Sequence, residues 1–252
     1  MVQVKIQKPK LVLFDVSGTA ARESFVEKIL LPYFKIAARI YFDNNWGTAQ
    51  CDEDMKALAR AAAAQAEAPK IDLSMPKPQV IDALQTYIDW AQEKLQDNTR
   101  AFSTYRFHVW FDGYDRGKLT TPVYSDVAVT IQKWRCDLNV RLYILSNGWA
   151  EATKKFMSKT SHGDLNLLIE GHFDTSSGPL TEPSTFKKVV EQIGANTSDV
   201  LFLTKSPEEG KAAKDAGLNV ILVLTHRGSV DQALQMCKDI PIARTFTEIE
   251  FI

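Results

Sequence analysis

The chain has 252 residues, of which 45% are hydrophobic, and its 30 Lys and Arg against 31 Asp and Glu leave a formal net charge of -1. That balance gives no bulk electrostatic attraction to nucleic acid or to an anionic membrane, so a small soluble ligand is the expected partner. Three scattered cysteines, Cys51, Cys136 and Cys237, argue against a disulfide framework or a structural zinc cluster and read as ordinary buried or half-buried thiols.

No apolar run approaches the roughly twenty residues of a membrane span, and the opening MVQVKIQKPK lacks the apolar segment of a signal peptide. The expectation is a cytosolic or nuclear protein. Its length fits one large domain or a domain carrying a sizeable insertion.

In chain order, LVLF at 11–14 is short, apolar and rich in branched residues, and reads as a buried parallel strand. From about Ser24 to about Trp134 helical patterns replace strand runs, among them CDEDMKALARAAAAQAEA and PQVIDALQTYIDWAQEKL, with APKIDLSMPKP as the loop between them. The alanines at 61–64 suit a helix packed closely on a neighbour. Strand runs return with VRLYIL at 140–145, VLFL at 200–203 and NVILVL at 219–224. Between them TFKKVVEQIG and SPEEGKAAKDAG read as helices closed by glycine. The tail adds one edge strand, ARTFTEI, at 243–249. Strand alternating with helix predicts an α/β fold with a doubly wound, mostly parallel sheet. The expected division is a core of residues 1–20 and 135–252, with 21–134 as a helical cap inserted after the first strand.

In open α/β sheets ligands bind beyond the carboxyl ends of the strands. That rule selects Asp15, Ser146 and Lys205, each within about two residues of a strand end. Asp15 alone reads equally as a helix cap or turn residue. Ser146-Asn147-Gly148 reads as a turn or as a donor pair for an anion. Lys205 is either a solvated loop lysine or the ion-pair partner of Asp15. The four histidines, His108, His162, His172 and His226, have no ligand-like spacing and belong at the surface or core edge. Trp110, Tyr114 and Tyr124 read as packing residues of the inserted segment and its hinge.

Taken together, FDVSGTA after a strand, ILSNG after a later one, and LFLT before a turn and helix resemble the haloacid dehalogenase superfamily. SFVEKILLPYF, WFDGYDRGKLTTPVYSDV, GDLNLLIEGHFDTSSG and LFLTKSPEEGKAAKDAG narrow the resemblance to the enolase-phosphatases of methionine salvage, from Leu11 to about Thr225. The resemblance implies a monomeric, Mg2+-dependent enzyme that enolises a phosphorylated diketone and then removes its phosphate. It also implies roles at matching positions. Asp15 stands at the nucleophile and metal-ligand position. Ser17 stands at the acid/base position, where the family has glutamate, with its backbone carbonyl available to the metal. Ser146 and Asn147 stand at the phosphate-binding pair, and Glu209 at a second acidic position beside the metal.

Departures from the pattern fall on charged groups. Leu180 occupies the position of the phosphate-binding lysine, with Lys187 and Lys188 as conceivable substitutes. Lys205 occupies the position of the magnesium-binding aspartate and inverts its charge. An ammonium there repels a divalent cation and competes for the same carboxylate. Two functions follow: a phosphatase of weak or lost activity toward a small phosphorylated metabolite, or a non-catalytic ligand- or partner-binding pseudophosphatase on the same fold.

Overall fold

The structure is a computed structural model that describes residues 3–94, 99–224, 230, 233 and 237–252. It divides into two compact units, Met1–Phe25 with Thr120–Ile252, and Val26–Leu119. His226 lies outside the described residues.

The first unit is built on a parallel sheet. Its strands are β2 (Leu11–Phe14), β3 (Arg141–Leu145), β4 (Gly171–Phe173), β5 (Val200–Thr204), β6 (Asn219–Val223) and β7 (Ile242–Ala243), in the order β4-β3-β2-β5-β6-β7. Residues 11–14 are fully buried, as a central strand covered on both faces requires. Alternate residues serve opposite layers. Val12 and Phe14 join one apolar cluster with Leu142, Ile144, Leu201 and Ile221, whereas Leu11 and Leu13 join another with Tyr143, Phe186, Phe202 and Leu222. The first cluster is covered by helix α5 (Ser125–Cys136) through Val127, Ile131 and Trp134. The second is covered by α7 (Pro183–Ile193) and α8 (Pro207–Asp215). Helix α7 ends on Gly194 at φ 73°, a left-handed cap that glycine adopts without steric cost. The chain reading assigns 21–134 to the insertion, yet α5 belongs to the sheet unit, because its apolar face is buried in that unit's core.

The tail departs from the expected edge strand at 243–249. Only Ile242–Ala243 pairs with β6; a 3₁₀ turn at Phe246–Glu248 follows, and β8 (Ile249–Phe251) pairs in parallel with β1 (Val4–Ile6) as a separate two-stranded sheet. The reason is Phe246, which turns inward to lie edge-on to Phe14 and stacks on Trp134 at 5.7 Å. A continuous strand could not deliver that ring to the core.

The second unit contains α1 (Leu31–Asn45), α2 (Ala49–Ala63), α3 (Lys77–Lys94) and α4 (Arg100–Asp115). Its centre is aromatic: Phe42 stacks on Tyr105 at 5.0 Å, and the Tyr105 hydroxyl donates to the Ala38 carbonyl at 2.6 Å. Trp110 and Tyr114 are buried within it. Of the alanines at 61–64 only Ala62 is buried. Asp54, also buried, accepts from the Tyr41 hydroxyl at 2.7 Å and lies 2.7 Å from His108 Nδ1, so its charge is held by neighbours on the same bundle. Cys51 and Cys237 are buried, but Cys136 is exposed, contrary to expectation, because it ends α5 on the solvent side.

Trp134 also stacks on Phe251 at 4.8 Å, so a single buried ring ties both tail segments to the sheet. Trp134→Ala is expected to cost about 3–5 kcal/mol in urea unfolding, with the tail more open to proteolysis. A loss under about 1 kcal/mol would show that the tail is anchored elsewhere.

Candidate active site at the strand ends

The sheet order determines which residues meet. Strand β2 lies between β3 and β5, with Phe14 opposite Ile144 on one side and Leu203 on the other. Asp15 therefore leaves the sheet level with Leu145 and Thr204, one residue before Ser146 and Lys205, which lie more than 130 positions away in sequence. Its N–H continues the ladder by donating to the Leu203 carbonyl at 3.0 Å. Ser146 is fixed in the same way by donation to the Phe173 carbonyl at 3.1 Å.

After Asp15 the chain folds back at once. Ala20 and Ala21 both donate to the Val16 carbonyl, and Gly18 donates to Ala21. Gly18 sits at φ 79°, a left-handed conformation in which a side chain is strained. Its missing side chain has a second use. A Cβ there would lie 2.6 Å from Lys205 Cδ, so the lysine stem runs directly across the glycine backbone.

Asp15 is 7% exposed, and its Oδ1 accepts from the Ser146 hydroxyl at 2.8 Å. Its carboxyl is pushed up from the ordinary 3.8 to about 7, first by burial and next by the Glu209 carboxylate. The Ser146 hydrogen bond, the Val16 backbone N–H and, last, the Lys205 charge oppose that rise. Lys205 is a weak counter-ion for Asp15 because its ammonium is ion-paired with Glu23. The expected Asp15–Lys205 contact is thus corrected: Glu23, two turns of loop beyond Asp15, holds the lysine. The Lys205 N–H donates to the buried Thr19 hydroxyl at 3.0 Å, which fixes the root of the side chain.

Glu209 faces the same floor. Its two oxygens accept from Asn147 Nδ2 at 2.5 Å and from the Thr204 hydroxyl at 2.8 Å. The sequence makes this arrangement: Ser206 caps α8 by accepting from the Glu209 N–H, and that first turn aims the glutamate back over the end of β5. Asn147, anticipated as a phosphate donor, has its amide engaged by Glu209. Ser17 is exposed on the loop and forms a single β-bridge with Ala21.

Leu180 is 2% exposed and packs with Phe186 and Val189, so this position supplies apolar contact to the core and no charge. Lys187 and Lys188 are exposed on α7, and no hydrogen bond or ion pair joins either to Asp15. His162 and His172 are held by other neighbours. His172 is half-buried between Thr153 and Asn166, with its ring held down to about 4 by burial, and His162 is exposed near Val123. Glu23 escaped the sequence reading. Its only signal was indirect, since an inverted charge at Lys205 needs a carboxylate and Glu23 is the first one after Asp15 on the adjoining loop.

The donor set is a poor match for magnesium, which takes hard oxygen ligands near a formal surplus of negative charge. Lys205 brings an ammonium to the strand end, both Glu209 oxygens are already hydrogen-bonded, and one Asp15 oxygen is bound by Ser146. Among the described residues no three His, Cys, Asp or Glu side chains converge on one point. What the arrangement offers an anion is the Lys205 ammonium, beside a carboxyl that burial pushes up to about 7 and whose Oδ1 takes the Ser146 proton.

The raised carboxyl has a signed consequence. Between about pH 4 and 7 the folded state keeps the Asp15 proton that the unfolded chain has lost, so this group's contribution to stability falls as pH rises through that window. Asp15→Asn removes the effect. The variant should exceed the wild type by on the order of 4 kcal/mol at pH 8 in urea unfolding, with the difference shrinking toward zero near pH 4. A wild type as stable as the variant at pH 8 would mean that Asp15 has a counter-ion.

A family model for haloacid dehalogenase-like hydrolases matches residues 9–217. Enolase-phosphatase E1 of Xenopus tropicalis is 32% identical over 223 residues, covering 85% of this chain and 84% of that protein. Enolase-phosphatase E1 of Aquifex aeolicus is 29% identical over 241 residues, covering 96% and 99% respectively. Among solved structures, the UTR4 protein of Saccharomyces cerevisiae superposes with a TM-score of 0.71 at 23% identity, over 94% of this chain and 98% of that one. At that identity the structural match speaks for the fold alone.

Proposed function

Since the chain belongs to the haloacid dehalogenase-like hydrolase family and is related to enolase-phosphatase E1 proteins, we propose that the strand-end site at Asp15 binds a small phosphorylated metabolite, a phosphorylated diketone of methionine salvage, and turns it over slowly or not at all. In this reading the unit of Met1–Phe25 and Thr120–Ile252 carries the binding groups and Val26–Leu119 serves as the cap. The single observation behind it is the engagement of Lys205 by Glu23 beside a buried Asp15 that lacks an ion-pair partner.

Phosphoryl transfer to Asp15 would form an Oδ–P bond, break the ester P–O bond and leave an alkoxide that needs a proton. Catalysis of such a step is almost wholly positioning and electrostatic stabilisation of the transferring group. Here the charged helpers are missing one by one. Ser17 cannot supply a proton at neutral pH. Leu180 brings no charge to the phosphate, and the family's metal finds no suitable donor set. A group that recognises phosphate without reacting remains, since the Lys205 ammonium can pair with it. A non-catalytic role is the stronger half of the proposal for that reason.

Purified protein should be assayed with magnesium against the phosphorylated diketone and an aryl phosphate, beside Asp15→Asn and beside an active relative. The expected turnover is at least about a thousandfold below the relative, while the diketone phosphate raises the thermal midpoint of the wild type. Magnesium-dependent turnover near the relative's, abolished in Asp15→Asn, would overturn the loss of activity. No thermal shift with the ester would overturn the binding role.

A further inference from the structure

We infer that the strand-end site binds phosphate without magnesium, the Lys205 ammonium acting as a built-in cation that leaves Glu23 for the phosphate oxygens when ligand arrives. The inference rests on the reading of the Asp15 strand end as a phosphate-ester site and says how that site is neutralised. Three observations carry it. First, the root of Lys205 is fixed at the end of β5 by donation to the buried Thr19 hydroxyl, and its stem crosses Gly18, so the ammonium is confined to the mouth of the Asp15 loop. Second, its present partner is weakly held: the Glu23 side chain is 69% exposed and the Lys205 side chain 31%. Solvent screens such a pair, and its exchange for another anion costs little. Third, the alternative acid, Glu209, is already occupied by Asn147 and Thr204 and does not compete for the lysine.

A phosphate dianion offers Lys205 more charge and more acceptor oxygens than one carboxylate, whereas the Ser146 hydroxyl already donates its proton to Asp15 Oδ1. Glu23 then acts as a latch that keeps the ammonium at the strand ends until an anion arrives. Its presence sets a cost on anion binding, because the pair must open first.

The test is calorimetric titration of the full chain with inorganic phosphate, in chelator and again in millimolar magnesium. Wild-type Kd is expected to agree within about twofold between the two conditions. Lys205→Met should weaken binding about tenfold or more through loss of a charge-assisted contact, and Glu23→Gln should tighten it about twofold to fivefold by freeing the ammonium. Glu23 is exposed, so that variant keeps the fold even where Lys205→Met does not, and thermal unfolding of both checks this. Phosphate binding that requires magnesium, or that is unchanged in both variants, overturns the lysine's role and leaves the phosphate-site reading standing. If neither phosphate nor the phosphorylated diketone binds in either condition, both fall together.

Discussion

The parallel register of β2 between β3 and β5 is the constraint on which the site depends. Phe14 lies level with Ile144 and Leu203, so Asp15, the first residue past β2, lies level with Leu145 and Thr204, the last residues of β3 and β5, one step before Ser146 and Lys205. Hydrogen bonds from Asp15 to Leu203 and from Ser146 to Phe173 extend that order by one residue beyond each strand. The apolar strands supply the energy for it. Residues of β2 face two separate clusters in alternation, and a slip of one residue would exchange every side chain between them. A buried sheet of this kind can hold a polar group at its edge with little freedom of position, and for that reason the side chains at its carboxyl ends meet at hydrogen-bond distance.

Charge at those strand ends is settled differently from what the sequence pattern suggests. A lysine in the place of an aspartate could have neutralised Asp15 directly. Instead the loop after β2 turns back tightly at Gly18, clears a path for the lysine stem, and brings Glu23 to its tip. Asp15 is left with neutral donors, and burial together with Glu209 raises its carboxyl toward neutrality. The ion pair is local to two loops and largely exposed, so it contributes little to stability. Its effect is on which groups remain free to meet a ligand.

Much of the sheet unit was legible in the sequence because its central strands are short, continuous and apolar, and α7 and α8 carry their own caps. LVLF, RLYIL, VLFLT and NVILV all fall within or against the expected runs. Failures occurred where tertiary contacts decide. ARTFTEI has strand-like composition, but Phe246 is worth more stacked on Trp134 than paired in a ladder. Ser125–Cys136 reads as one more helix of the insertion, and only its burial against β2 and β3 reveals its allegiance. At the site, the positions of Asp15, Ser146 and Lys205 followed from the strand-end rule. Their pairing did not, since the direction a lysine takes over a loop depends on a glycine's backbone angle and on a carboxylate some residues away.

The two buried acids show why the lysine matters beyond its own ion pair. Asp15 and Glu209 lie close enough for one to raise the other, yet neither has a cation: serine, asparagine and threonine donors hold them. Neutral hydrogen bonds can hold a buried carboxylate, but they do not offset repulsion between two of them. Exchanging Lys205 for an acid would add a third carboxylate beside this pair and leave Glu23 unpaired, with the Asn147 and Thr204 contacts still occupying Glu209. Recovering a divalent-cation site is therefore a property of the whole set of residues. Lys205, Glu23, Asn147 and Glu209 form a self-consistent arrangement, in which the positive charge sits at the rim, where a ligand's phosphate can reach it, and not between the acids.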